Sequence, residues 1–251
     1  HIEHQWGKRL IRSWNEGWFD LPEKLGARLA PIIGAEEDEV IVGDSTSLNL
    51  YKTAWAAVKY NKGRTRIVSD DLNFPTDLYV LQGITRQLGK EFELVLAGSS
   101  DGITLKPEDL ETVIDDNTAL VVLSHVTFKS AYMHDMEAIT KLVHSHGALM
   151  LWDLSHAAGA VPVALLESGA DLAVGCTYKY LNGGPGSPAY MYVKKATMTG
   201  PVQISQQSIW KKVVNGFDIK LDQFIEAKYN TELKEERKRM WRNKEIGRAH
   251  V

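Results

Sequence analysis

The sequence predicts an α/β fold, a mostly parallel sheet with helices on both faces, and three observations predict it. From Val40 onward short apolar runs alternate with amphipathic segments, the rhythm of strand–helix–strand crossovers. Runs such as Ala119-Leu120-Val121-Val122-Leu123 are apolar throughout, as strands covered on both faces must be. Polar, glycine-containing segments follow several of these runs, and open α/β sheets bind ligands just beyond the carboxyl ends of their strands.

Taken in order, the predicted strands are 39–42, 65–69, 92–96, 119–124, 148–152 and 171–175, with 189–193 a late strand open to antiparallel pairing. Helical periodicity falls between them at 46–60, 76–88, 107–115, 136–146 and 163–168. Start signals support two of these: Pro107 is followed by Glu108 and Asp109, and Asp135 precedes Met136. Residues 1–29 are expected to form an N-terminal helical arm, 30–195 the large domain, and 196–251 a charged segment of different character. Within the last, 219–243 reads as one exposed helix whose Lys-Glu-Glu-Arg-Lys-Arg run at 234–239 is a solvated face rather than a binding patch.

Composition narrows the function classes. Apolar residues make up 44% and charged residues 24% of the 251, enough for a real core. A net charge of −3 gives no electrostatic case for nucleic acid or an anionic membrane. Apolar runs are strand-sized, which excludes a membrane span, and no leader pattern is present. The single cysteine, Cys176, excludes an internal disulfide and fits a cytoplasmic location; it reads as a buried small residue. His1-x-x-His4 and His144-x-His146 lack a further ligand at suitable spacing and read as exposed histidines rather than a metal site.

Five segments carry the chemistry, each just after a predicted strand: 43–51, 71–77, Ser124-His125, 152–156 and 177–184. In the first, Thr46 and Ser47 stand where a strand turns into a helix, so hydroxyls and free N–H groups face one point, a ready phosphate site. Alone, that pattern is an ordinary helix cap. Phe74, in a loop with Pro75 and Thr76, is placed to stack on a planar ring; alone it is a core aromatic. Asp153 closes an apolar strand, and Lys179 follows it by 26 residues after another strand. Alone, the two make a salt bridge. A partly desolvated lysine amine is also a nucleophile toward aldehydes, and an aspartate can hold a pyridinium nitrogen protonated.

The segments Gly-Asp-Ser-Thr-Ser (43–47), Asn-Phe-Pro-Thr-Asp (73–77), Trp-Asp-Leu-Ser-His-Ala-Ala-Gly (152–159) and Tyr-Lys-Tyr-Leu-Asn-Gly-Gly-Pro-Gly-Ser-Pro (178–188) together resemble the kynureninase family, over residues 11–195. The resemblance implies the large domain of a fold-type-I transferase dependent on pyridoxal 5'-phosphate. It implies that Thr46, Ser47, Phe74, Pro75, Thr76, Asp77 and Tyr178 bind the cofactor, with Tyr178 on the phosphate and Phe74 stacked on the ring. Asp153 would pair with the ring nitrogen, Ser124 and His156 would line the ring, and Lys179 would carry the cofactor as a Schiff base. The implied catalytic set is Lys179, Asp153 and Tyr178. The implied reaction is hydrolysis of the Cβ–Cγ bond of L-kynurenine or its 3-hydroxy form to L-alanine and an anthranilate, in tryptophan catabolism, by a homodimer.

After Lys195 the likeness stops: no small-domain counterpart and no substrate-clamping arginine is evident, and Trp210 has the wrong neighbours. The chain opens without Met, and Glu245-Ile246-Gly247-Arg248-Ala249-His250-Val251 matches one frame of a common sequencing adapter, so a fragment with impaired turnover is expected. Three other readings stand beside this one. They are a cysteine-desulfurase-like lyase of the same superfamily, an inert fragment, and a serine hydrolase of the GDSL type using Ser45, Asp153 and His156.

Overall fold

Central strands that are apolar on both faces need helices above and below, and the computed structural model, which describes residues 2–195, has that arrangement. The strands are β1 (Val40–Val42), β2 (Arg66–Asp70), β3 (Glu93–Ala97), β4 (Thr118–Ser124), β5 (Leu149–Asp153), β6 (Leu172–Cys176) and β7 (Ala189–Val193). They form one sheet in the order β1-β7-β6-β5-β4-β2-β3. Only β7 runs against its neighbours, antiparallel to both β1 and β6, while the other pairings are parallel. The cause is local. The 177–188 connection contains no crossover helix, so the chain returns beside β6 in the opposite direction.

The helices are α1 (Leu21–Leu29), α2 (Thr46–Tyr60), α3 (Pro75–Leu88), α4 (Pro107–Glu111), α5 (Met136–Ser145) and α6 (Leu165–Ser168). Alternate strand residues feed two cores. Ile67, Leu120, Val122, Leu151, Val174 and Met191 meet α2 and α3 through Leu50, Ala54, Leu81 and Ile84. Val68, Val121, Leu123, Met150, Trp152 and Tyr190 meet the other helices through Leu29, Leu110, Ile139, Val143 and Leu165. Trp152 has no exposed surface, and its indole N–H donates to Thr140 Oγ1 at 3.2 Å.

Caps fix several helix starts. Ser45 Oγ accepts from the Leu48 N–H at 3.3 Å, Asp135 Oδ1 accepts from the Ala138 N–H at 2.9 Å, and Pro75 and Pro107 occupy first-turn positions. Two helices are shorter than their sequence patterns. The 107–115 pattern ends at Glu111 because Asp115 is drawn to the Arg66 guanidinium and accepts from the Thr118 hydroxyl. The 163–168 pattern starts at Leu165, whose N–H, with that of Leu166, donates to the carbonyls of Ile33 and Gly34.

The N-terminal segment holds two wide helical turns, Ile2–Arg9 and Trp14–Trp18, before α1. Gly26 lets α1 lie directly on β1: a β-carbon there would collide with the Val40 carbonyl. No helix among the described residues is long and apolar enough to cross a membrane. The expected helix 219–243, Trp210 and the 245–251 string lie outside the described residues.

Candidate active site

Because β1, β2, β4, β5 and β6 share one direction, the segments following them emerge at one edge of the sheet, and this edge gathers the sequence-predicted residues. Asp153 ends β5 and is 3% exposed; its Oδ1 accepts from the Ser155 N–H at 2.8 Å. Lys179 and His156 meet there, with Lys179 Nζ 2.8 Å from His156 Nε2. The same amine lies 5.3 Å from the centre of the Phe74 ring and 5.8 Å from that of Tyr178. The Phe74 and His156 rings are 6.0 Å apart. Gly159 allows the 152–159 and 178–188 segments to touch. Its φ is +84°, and a β-carbon would stand 2.7 Å from the Tyr180 carbonyl oxygen.

Asp77, on the first turn of α3, is buried beside Asp153. Burial, then the neighbouring Asp153 carboxylate, pushes its pKa up to about 9, with Lys179 pulling it back. Asp77 therefore holds a proton at neutral pH while facing the Asp153 carboxylate. His156 is shifted the other way: burial and then the Lys179 ammonium lower its pKa, against Asp153. A neutral imidazole thus accepts from the lysine amine. The Tyr178 hydroxyl is pushed up by desolvation and then by Cys176, while its ring is 47% exposed.

The remaining predicted residues fall around this centre. Ser124 ends β4 as a buried residue whose hydroxyl donates to Asn73 Oδ1 at 2.8 Å. That same oxygen accepts from the Phe74 N–H at 2.8 Å, so Ser124 braces the Phe74 loop. Pro75 and Thr76 are exposed at the start of α3. Thr46 and Ser47, half-buried, open α2, and their N–H groups have no partner within the helix. Asp44, at φ +55°, precedes them and is ion-paired with Lys52.

Sequence reasoning passed over three features, two at this edge and one at the opposite end of the sheet. Asn73 is the polar hub joining Ser69, Ser124 and Phe74. Phe128 stands edge-on to Phe74, ring centres 5.1 Å apart. His144, read as merely exposed, has Nε2 2.7 Å from Asp171 Oδ2, because α5 lies beside the start of β6. No three His, Cys, Asp or Glu side chains among the described residues are grouped to hold a metal. The serine-hydrolase arrangement does not form: Ser45 Oγ caps α2, and His156 Nε2 faces Lys179. Cys176 is 3% exposed with Sγ toward the Ser155 carbonyl.

The fit of pyridoxal phosphate rests on atoms left open at this edge. Asp77 Oδ2 and His156 Nδ1 are buried without a hydrogen-bond partner. Two adjacent carboxyls, an amine, an aromatic face and a helix N-terminus are the donor set that a phosphorylated pyridine aldehyde requires.

Fold and site define a known class: the chain belongs to the aminotransferase class-V family, whose profile matches residues 18–215. Within it, curated kynureninases are similar to this chain. The Burkholderia mallei (strain SAVP1) protein is 52% identical over 199 residues, covering 77% of this chain and 46% of its relative. The Pseudomonas fluorescens kynureninase is 52% identical over 197 residues, 76% of this chain and 46% of that protein. The chain thus spans about half the length of the curated relatives it matches. Among solved structures, an alanine–glyoxylate aminotransferase from Nostoc sp. superposes with a TM-score of 0.63 at 16% identity, covering 79% of this chain and 53% of that one. A cysteine desulfurase from Thermococcus onnurineus superposes with a TM-score of 0.62 at 22% identity, covering 77% and 46%. At these identities the structures speak for the fold alone.

Proposed function

We propose that this chain is the cofactor-binding part of a pyridoxal-phosphate-dependent hydrolase that cleaves the Cβ–Cγ bond of L-kynurenine or 3-hydroxy-L-kynurenine. The observation that carries the reading is the Lys179 amine set against His156, over Phe74 and beside the Asp77–Asp153 pair, in a chain half identical to kynureninases over its matched length. When bound, pyridoxal phosphate supplies an aldehyde for amine capture and a ring that withdraws electrons from the substrate. Lys179 would hold the aldehyde, and its amine would move the proton at the substrate α-carbon. His156 accepts a hydrogen bond from that amine and fixes its direction. Phe74 offers its face to the ring. Asp153 would pair with the ring nitrogen, with Asp77, whose pKa is raised by burial and by Asp153, beside it. Thr46, Ser47 and Tyr178 turn N–H and hydroxyl donors to the phosphate, with Pro75 and Thr76 shaping the rim and Ser124 supporting it through Asn73. Water adds across the cleaved bond, its hydroxyl to Cγ and its hydrogen to Cβ, giving the anthranilate and L-alanine.

The half-exposed Tyr178 and Tyr180 fit a homodimer in which a second copy closes this edge. A desulfurase reading needs an accessible cysteine, and Cys176 is buried. The test joins the C-terminal region of a kynureninase to this chain after Lys195 and follows anthranilate fluorescence. Release that is lost in Lys179→Ala is expected. A folded, cofactor-loaded chimera that releases none overturns the substrate assignment.

A further inference from the structure

Outside the Lys179 cluster, a buried carboxyl and a buried imidazole face one another with no partner among the described residues. Asp70 closes β2 and is 1% exposed; His134 is 2% exposed. Asp70 Oδ2 lies 4.0 Å from His134 Nε2. Both carboxylate oxygens of Asp70 and both ring nitrogens of His134 are without hydrogen bonds. His134 packs edge-on with Tyr132, at 5.0 Å between ring centres, and lies tilted against Trp152, at 6.1 Å. His125 packs on the same Trp152 at 5.8 Å, its Nδ1 also unpartnered.

A carboxylate sealed among such groups is heavily penalised unless a proton neutralises it. The charged and titratable groups facing the pair are few. Asp71, next in the chain, opposes ionisation of Asp70; the Leu72 and Asn73 N–H groups point toward Asp70 and favour it without reaching hydrogen-bond geometry; His125 opposes charging of His134. Burial is the largest influence on both, pushing Asp70 up to about 7 and His134 down to about 4. Near pH 6 the carboxyl keeps its proton and the imidazole is neutral, the reverse of their order in an unfolded chain. A protonated carboxyl donates and a neutral imidazole accepts, so an approach of about 1 Å makes a hydrogen bond.

The pair also joins two loops of the site. Asp70 leads directly into 71–74, which ends at Phe74. The His134 N–H donates to the His125 carbonyl at 3.0 Å, and the His125 N–H donates to the Asp153 carbonyl at 2.9 Å. Val126 and Met133 bridge the base of the excursion between them, and its tip carries Phe128 to the edge of Phe74. We propose that Asp70 and His134 share one proton, resident on Asp70, and that this neutral pair positions the Phe74 loop against the 125–134 excursion. That these loops face a cofactor rests on the function proposed above; the shared proton does not.

The test uses the full chain. In the cofactor-free protein at pH 6, isotope-edited infrared spectra should show a protonated carboxyl band that Asp70→Asn removes and Asp77→Asn leaves. Nitrogen-15 spectra, assigned with His134→Gln, should show one protonated ring nitrogen at His134. An ionised Asp70 or a doubly protonated His134 at that pH overturns the shared proton. Amide exchange over 125–134, corrected for the intrinsic rate, should quicken about three- to tenfold from pH 6 to 8.5 in the parent and stay level in Asp70→Asn. Equal behaviour of the two proteins overturns the positioning role. Pyridoxal phosphate affinity, titrated by absorbance over the same range, should follow the same split. A chain that binds no pyridoxal phosphate overturns the cofactor reading instead, and the first two measurements still decide the pair.

Discussion

The Lys179 amine stands 2.8 Å from Nε2 of His156, and the imidazole is the partner whose basicity is suppressed. A charged histidine there would repel the ammonium; a neutral one accepts its hydrogen bond and holds the side chain over Phe74. Burial is the main cause, and Lys179 itself reinforces it.

Capture of the cofactor should follow from this placement. Adding pyridoxal phosphate to the purified chain is expected to produce a visible absorption band, and borohydride should fix the cofactor on Lys179. Peptide mapping reads the site. Label on another lysine defeats the assignment.

Asp77 and Asp153 should respond differently to loss of charge. Asp77 ordinarily titrates near 3.8 and here near 9, so the folded chain holds a proton that the unfolded chain has lost across that interval. Its stabilising share is complete below about pH 4 and lost as pH rises through about 9. Asp77→Asn should therefore flatten the fall of the melting temperature between pH 6 and 9 and weaken cofactor binding less than Asp153→Asn does. If Asp153 pairs with the ring nitrogen, Asp153→Asn should weaken cofactor binding by about tenfold or more, the size of a lost charge-assisted hydrogen bond. Equal losses in the two variants would show that both carboxyls are ionised.

Tyr178→Phe deletes one hydroxyl at the exposed rim and little else. If that hydroxyl donates to the phosphate, cofactor affinity should drop by roughly 1.5–3 kcal/mol with the fold unchanged. Absorbance titration beside a denaturant melt separates the two effects. Unaltered affinity removes Tyr178 from the phosphate.

Gly26→Ala tests the seat of α1 on β1. The added methyl meets the Val40 main chain, which cannot rotate away, so a loss of about 1–3 kcal/mol in denaturant unfolding is expected. A neutral result would mean that α1 shifts freely over the sheet.

The strands were legible in the sequence because each holds a short apolar run, longest in the central β4 and β5, where cover on both faces requires that composition. The loops carrying Thr46, Phe74, Asp153 and Lys179 were legible for a related reason: ligand-facing segments of such sheets follow strand ends. The antiparallel course of β7 was left open, since an apolar run carries no direction; the helix-free 177–188 connection decides it. What only the tertiary structure decided is who faces whom. Asp70 and His134 are 64 positions apart in the sequence, yet β2 and the 125–134 excursion bring them face to face in the buried interior. Likewise Asp77 becomes a proton holder through burial beside Asp153, and His156 a neutral acceptor through burial beside Lys179. Residue type sets the ordinary proton affinity of each group, but desolvation and the nearest charge set the operating one, and both are properties of packing.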